Sequence, residues 1–274
     1  MVADTPDQQR TPTAFVLGAS ADIGLALTER LMNDGWSVIG AARDTSRLDQ
    51  FNNEPAFSAL SCDLADAVEV GAMIENFGAL QVSWDLFISA AGSMEPIGRF
   101  FDLNFDDWER SVTVNTTAQL RVLHGLWPYR NQTKADVMLM AGGGTNNPFP
   151  NYSAYCVSKI ALIKMCELLD DEEEGLNVFI IGPGFVQTRI HDETLRAGAR
   201  AGDGYGKTLD FLTSDGTSMD DIYSHLQWCM AQGKAVAGGR NFSTVHDPWR
   251  DGGDRLREQL ENDDNAFRLR RAQP

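Results

Sequence analysis

The sequence predicts an α/β fold of the doubly wound kind, a parallel sheet with helices on both faces forming an α/β/α sandwich. Three observations predict it. Short apolar runs alternate with segments of helical periodicity, the runs are continuously apolar rather than alternating in polarity, and no repeat, linker or low-complexity segment divides the chain. Strands covered on both faces need the continuous pattern, because neither side meets water. At 274 residues the chain is within the range, roughly 250–300 residues, at which one core stops growing. A single domain over residues 13–274 is therefore expected, behind a polar N-terminal tail over residues 1–12.

The elements follow in order. "AFVL" (Ala14 to Leu17) reads as the first strand, and Ile23, Leu27 and Leu31, recurring every four residues, mark one face of the first helix. Gly35, after Asn33 and Asp34, stops it. "WSVIGAA" (Trp36 to Ala42) and "FSALSCD" are the next strands, followed by a helix around Val68 to Phe77 and the strand "DLFISAAG". A long helix from about Asp107 to Trp127 leads to the strand "DVMLMA", and a helix from about Ser153 to Leu169 leads to "NVFIIGPG". "DDEEEG" (Asp170 to Gly175) reads as a solvated helix end, although carboxylates there oppose the helix dipole. The glycine-rich stretch Ala197 to Gly206 reads as a mobile loop within a lid over about 189–215. A last strand is placed near Val236 or over Phe242 to Val245, with Trp249 and Leu256 packing against the core or a neighbouring subunit.

Composition narrows the function. Hydrophobic residues make up 43% and charged residues 23%, as in a packed soluble protein. The formal charge of -16 repels nucleic acid and anionic membranes at long range and points to a small-molecule partner. No apolar run reaches the ~18 residues of a membrane span and the opening residues lack signal-peptide features, so a cytoplasmic protein is expected. Cys62, Cys156, Cys166 and Cys229 show no CxxC spacing and are expected as buried thiols. His124, His191, His225 and His246 are scattered, giving no support for a metal.

"LGASADIG" (Leu17 to Gly24) lies between the first strand and the first helix, where backbone N–H groups and the helix dipole favour an anion. Gly18 allows the tight turn and Gly24 close packing of the helix. This turn resembles that of the short-chain dehydrogenase/reductase family, T-G-x-x-x-G-x-G, with Leu17 in place of the threonine and Asp22 in place of the middle glycine. The resemblance implies a Rossmann fold and a nicotinamide dinucleotide held by Gly18, Ser20, Asp22, Ile23 and Gly24. Asp22 is expected to cap a helix starting at Ile23 and to point away from the pyrophosphate. In the family register Arg43 of "GAARDTSRL" faces the 2'-phosphate, favouring NADP(H) with NAD(H) possible; the plainer reading is a surface arginine paired with Asp44. Asp63 and Leu64 of "SCDLAD" stand where the family contacts adenine, and Ala90, Ala91 and Gly92 replace its N-N-A-G.

"YCVSK" places Tyr155 and Lys159 at i and i+4 of a helix, on one face. A lysine cation there is expected to lower the tyrosine pKa, so that the phenol passes a proton to a developing alkoxide. The resemblance adds Asn115 of "VTVNTTA" as holder of a relay water, and Pro183, Gly184, Val186 and Thr188 of "GPGFVQT" as the clamp on the nicotinamide carboxamide. The family serine, thirteen residues before the tyrosine, falls on Gly142. Three answers stay open: an oxyanion nest from the amides of Gly142 to Gly144, with Gly142, Gly143 and Thr145 as the candidates facing substrate; a hydroxyl from Thr145 or Ser153; or a degenerate site. His191 reads as structural or as a substrate contact. The resemblance covers about Thr11 to Ile190 and implies a carbonyl–alcohol oxidoreductase, homodimeric or homotetrameric. "GGGTNN" and "SKIALIKMCELL" resemble members that accompany bacterial surface-polysaccharide genes, implying a sugar or nucleotide-sugar substrate. The rival reading is a dinucleotide-binding sensor or scaffold, and a weaker one is a non-redox epimerase or dehydratase.

Overall fold

The computed structural model describes residues 10–271. Seven strands, β1 (Thr13–Leu17), β2 (Ser37–Ala42), β3 (Phe57–Ser61), β4 (Leu86–Ser89), β5 (Ala135–Met140), β6 (Leu176–Gly182) and β7 (Asn241–Ser243), form one sheet. Its order is β3-β2-β1-β4-β5-β6-β7, with every pair parallel. Parallel neighbours need crossovers; β2 and β3 are joined through a 3-10 turn (Ser46–Phe51), the other connections carry the helices α1 (Asp22–Asn33), α2 (Ala67–Ala79), α3 (Phe105–Val112), α4 (Ala118–Leu126), α5 (Ser153–Glu172), α6 (Ile190–Ala197), α7 (Asp203–Leu212), α8 (Met219–Gln232) and α9 (Lys234–Ala237), and α10 (Asp254–Asn262) follows the last strand. The order reverses between β1 and β4, which opens a crevice beyond their C-terminal ends.

Two cores sandwich the sheet. One packs Leu27 and Leu31 of α1 with Leu226 and Trp228 of α8 and with Trp249 and Leu256; the other packs Phe77 of α2, Val122 of α4 and Leu162 of α5. Trp249 and Leu256 thus face the protein's own core. No described helix is long and apolar enough to cross a membrane.

Several expectations are corrected. The tail expected over residues 1–12 lies outside the described residues up to residue 9, but Arg10 is anchored to the Asp85 carboxylate and the Ser83 carbonyl. The long helix is interrupted: Thr113–Thr117 between α3 and α4 is a π turn, in a segment rich in β-branched residues that crowd a regular helix. Val236 lies in α9 rather than a strand, and β7 ends at Ser243 instead of reaching Val245. The stretch Ala197 to Gly206 is helical, a 3-10 turn over Gly198–Ala201 followed by α7, because glycines at 198 and 202 take positive φ at the joints and leave helix between them.

"DDEEEG" is a helix end with Asp171, Glu172 and Glu174 exposed, as expected, but its first residue is not simply solvated. Asp170 Oδ1 pairs with Lys234 Nζ at 2.7 Å and Oδ2 with Arg268 Nη2 at 2.9 Å. One turn earlier Glu167 pairs with Lys164 and Arg270, both at 2.7 Å, and accepts the Leu269 N–H. These cations offset the unfavourable dipole of acidic groups at a helix C-terminus. Of the cysteines, Cys62, Cys166 and Cys229 are buried; Cys156 is half-buried.

Candidate active site

Strand register aligns the segments that carry the candidate residues. Leu17 pairs with Ala41 and Ser89, Ser89 with Leu139, and Leu139 with Ile180, so the chain leaves β1, β2, β4, β5 and β6 along one edge. At the first exit Gly18 has φ +81°, and a Cβ there would lie 2.6 Å from Ala91 N; a Cβ on Gly24 would overlap the Gly18 carbonyl. Backbone packs on backbone, which only glycine permits. Ala21 is the N-cap of α1 and makes no side-chain cap, leaving the first-turn N–H groups of Asp22, Ile23 and Gly24 for an anion. This turn fits a dinucleotide pyrophosphate.

Asp22 does not cap α1, contrary to expectation, because two arginines claim its carboxylate. Oδ1 accepts from Arg47 Nη1 at 2.7 Å and Arg189 Nε at 3.2 Å, and Oδ2 accepts the Arg189 backbone N–H at 2.7 Å. Partial burial works against the charge, but the Arg189 N–H and the Arg47 guanidinium prevail and hold the carboxyl below the usual range. Both guanidiniums also donate to Ser20 O, at 2.7 and 3.1 Å. Arg43 is exposed and makes no ion pair among the described residues; Asp44 instead accepts the Ser46 N–H at 2.9 Å. Leu64 is buried, and half-buried Asp63 accepts the Ala65 N–H.

Tyr155 and Lys159 project from the first turns of α5, with Nζ 5.7 Å from the phenol ring centroid. Both are buried, at 8% and 3% exposure. The expected lowering of the tyrosine pKa is not found: burial pushes the phenol up, Cys156 and Glu193 add to the rise, and burial brings Lys159 down to about 8. Asn115 sits in the π turn, fully buried. Its Oδ1 accepts the Ser93 N–H at 2.9 Å, and its Nδ2 donates to Ser93 O at 2.9 Å and Ser111 Oγ at 3.2 Å. A Cβ on Gly92 would lie 3.4 Å from Asn115 Oδ1 and 3.9 Å from Lys159 Nζ, so the two side chains meet the chain at this glycine.

After β5, a Cβ on Gly142 would overlap the Tyr155 hydroxyl. The phenol lies where a serine side chain would begin, and the two exclude each other in this arrangement. The N–H groups of Gly142, Gly143 and Gly144 meet no acceptor among the described residues. Thr145 is half-buried beside them, whereas Ser153 Oγ accepts from Trp108 Nε1 at 3.0 Å and is committed elsewhere.

After β6, Gly184 has φ +77° and follows Pro183; Val186 is buried, and Thr188 Oγ1 donates to Val186 O at 3.3 Å. His191 Nε2 lies 3.0 Å from the same carbonyl and its ring 4.3 Å from Phe185, a structural placement. Sequence reasoning missed Glu193. From α6 its carboxylate accepts Ser93 Oγ at 3.1 Å, Met94 N at 2.5 Å and Glu95 N at 3.2 Å, clasping the segment that Asn115 holds from the other side. It also missed Gln119, whose Oε1 accepts Ser89 Oγ at 2.7 Å and whose Nε2 reaches Ala91 O and Val114 O at 3.1 Å.

Comparison with known proteins bears on this edge. The family model described as short chain dehydrogenase matches residues 12–198, more than half of the chain. Serine 3-dehydrogenase of Rhizobium radiobacter is 25% identical over 228 residues, covering 82% of this chain and 90% of its own. The crystal structure of the KRED1-Pglu enzyme superposes with a TM-score of 0.77 at 22% identity, covering 84% of this chain and 100% of its own. A short chain dehydrogenase from Shigella flexneri 2a complexed with NADP gives 0.70 at 21% identity, over 85% and 96%.

Proposed function

The chain belongs to the short-chain dehydrogenase family, and from that premise we propose that it interconverts a carbonyl and an alcohol with NADP(H) at a site formed by Tyr155, Lys159 and Asn115. The observation that carries the reading is the approach of both Asn115 Oδ1 and Lys159 Nζ to Gly92, with Lys159 Nζ over the Tyr155 ring, at the edge where the uncapped α1 turn opens.

When bound, the dinucleotide supplies or accepts the hydride. The chain's own groups handle the proton. The Tyr155 phenol, kept protonated by burial, donates to the oxygen of a carbonyl, which favours the reductive direction. Lys159, with a pKa brought down to about 8, is an ammonium at neutral pH and resupplies the proton. Asn115 has both amide hydrogens committed, and its oxygen keeps one lone pair for a relay water. The unpartnered N–H groups of Gly142 and Gly143, with Thr145 beside them, take the place of the family serine in facing the substrate oxygen.

Gly18, Ser20, Ile23 and Gly24 line the pyrophosphate, Asp63 and Leu64 the adenine, Ala90 to Gly92 the ribose side, and Pro183, Gly184, Val186 and Thr188 the carboxamide. Exposed Arg43, which makes no ion pair with Asp44, supports NADP(H) over NAD(H) as a partner for the 2'-phosphate. The likeness of "GGGTNN" to surface-polysaccharide members supports a sugar or nucleotide-sugar substrate. Exposed Val157 and Leu168 on α5 and Phe105 on α3 support a homodimer or homotetramer.

Tyr155→Phe is expected to reduce carbonyl-dependent NADPH oxidation by at least about 100-fold while leaving NADPH binding intact. A panel of sugar and simple carbonyls supplies the substrate. The overlap of the phenol with position 142 favours one second reading, a dinucleotide-binding sensor. It predicts no NADPH oxidation with any carbonyl, before or after the substitution.

A further inference from the structure

The glycine turn carries a feature that dinucleotide binding alone does not explain. Asp22 occupies the position of the family's middle glycine, yet its carboxylate is only 17% exposed and bonded at both oxygens. One partner, Arg47, comes from the segment after β2. The other, Arg189, is 167 residues away in sequence and comes from the segment after β6. β1 and β6 are three strands apart in the sheet, roughly 14 Å at ~4.8 Å per strand. The Asp22–Arg189 bridge therefore spans the crevice mouth over the ends of β4 and β5. Both guanidiniums also touch Ser20 O, within the turn, and keep side-chain exposures of 37% and 60% that leave them open to an anion arriving from solvent. Two cations thus share one carboxylate where the uncapped helix already favours negative charge.

We propose that Asp22 is a resident anion of the phosphate groove, holding Arg47 and Arg189 across the crevice until the pyrophosphate of the dinucleotide takes the two guanidiniums over. The proposal rests on the reading that this crevice binds NADP(H), and it makes Asp22 a determinant of cofactor affinity. Binding then exchanges one pair of charge-assisted hydrogen bonds for another rather than creating both anew. Removing the carboxylate removes the competitor.

The test titrates wild-type protein, Asp22→Asn, Asp22→Gly, Arg47→Gln and Arg189→Gln with NADPH and NADH, following nicotinamide fluorescence, and records thermal unfolding of each with and without NADPH. Asp22→Asn and Asp22→Gly are expected to bind NADPH about two- to fivefold more tightly, the range for partly exposed ion pairs. Either arginine variant is expected to bind more weakly by a similar factor. In the absence of dinucleotide the Asp22 variants melt lower than wild type, and saturating NADPH raises their midpoint by more. Asp22 variants that fold but bind NADPH no better than wild type overturn the proposal, as do arginine variants that bind it equally well. Failure of the wild type to bind either dinucleotide instead removes the oxidoreductase reading, and the proposal with it.

Discussion

Two glycine turns leave the same sheet edge, one after β1 and one after β5, and they are tight for different reasons. At Gly18 and Gly24 the missing side chain makes room for backbone, the Ala91 amide and the Gly18 carbonyl. At Gly142 and Gly144 it makes room for side chains, the Tyr155 hydroxyl and Cys156 Sγ. Backbone in a close-packed sheet cannot yield, whereas a phenol can rotate. The first turn is therefore a condition of the fold, and the second a condition of how the site is arranged.

Substitutions sharpen that contrast. The largest effect belongs to Gly24→Ala, expected to destabilise the protein by about 3 kcal/mol or more, at the upper end of overpacking costs, and to abolish dinucleotide binding; urea unfolding and NADPH titration measure both. Next comes Lys159→Met. Burial holds the folded pKa at about 8, against 10.5 for the unperturbed group, so between these values the unfolded chain binds more protons and stability rises with pH. The methionine variant is expected to be more stable than wild type at pH 7 by about 3 kcal/mol, with the gap closing toward pH 10. A gap independent of pH would show that the ammonium is not desolvated.

Gly142→Ala is the direct counterpart of Gly24→Ala. It is expected to cost about 1 kcal/mol in stability, because the phenol moves aside. Turnover is expected to fall about 10- to 100-fold, as displacement of a reacting group does, with dinucleotide affinity unchanged. Equal losses of stability at the two glycines would erase the distinction between them. The smallest effect is expected at Glu193→Gln, which keeps a hydrogen-bond acceptor for the Met94 N–H but loses its charge; a stability loss of about 1 kcal/mol with a raised KM is expected.

What was legible in the sequence was what local chemistry determines. Continuous apolar runs located strands buried on both faces, Gly18 and Gly24 marked a backbone contact that any side chain would block, and the spacing of Tyr155 and Lys159 put them on one helix face. What was not legible depends on residues distant in the chain. Arg189 reaches Asp22 from 167 residues away, and Glu193 reaches Met94 from 99 residues away, so neither leaves a periodic or spaced signature. The raised pKa of Tyr155 is not legible because a lysine four residues along predicts a lowered one, while the burial and the Glu193 carboxylate that raise it come only from packing. The π turn was hidden for a related reason: β-branched residues such as Thr113, Val114, Thr116 and Thr117 also occur within ordinary helices, and the bonds of Asn115 to Ser93, 22 residues away, leave no local signature.

The acidic end of α5 has a mechanical meaning. This twenty-residue rod, about 30 Å long at 1.5 Å per residue, bears Tyr155 and Lys159 near its head, while its foot is bolted by Lys234, Arg268 and Arg270 to Glu167 and Asp170. A small tilt at the foot is magnified along the shaft, so loosening the bolts at Arg268 would swing the phenol at the far end without touching anything near it.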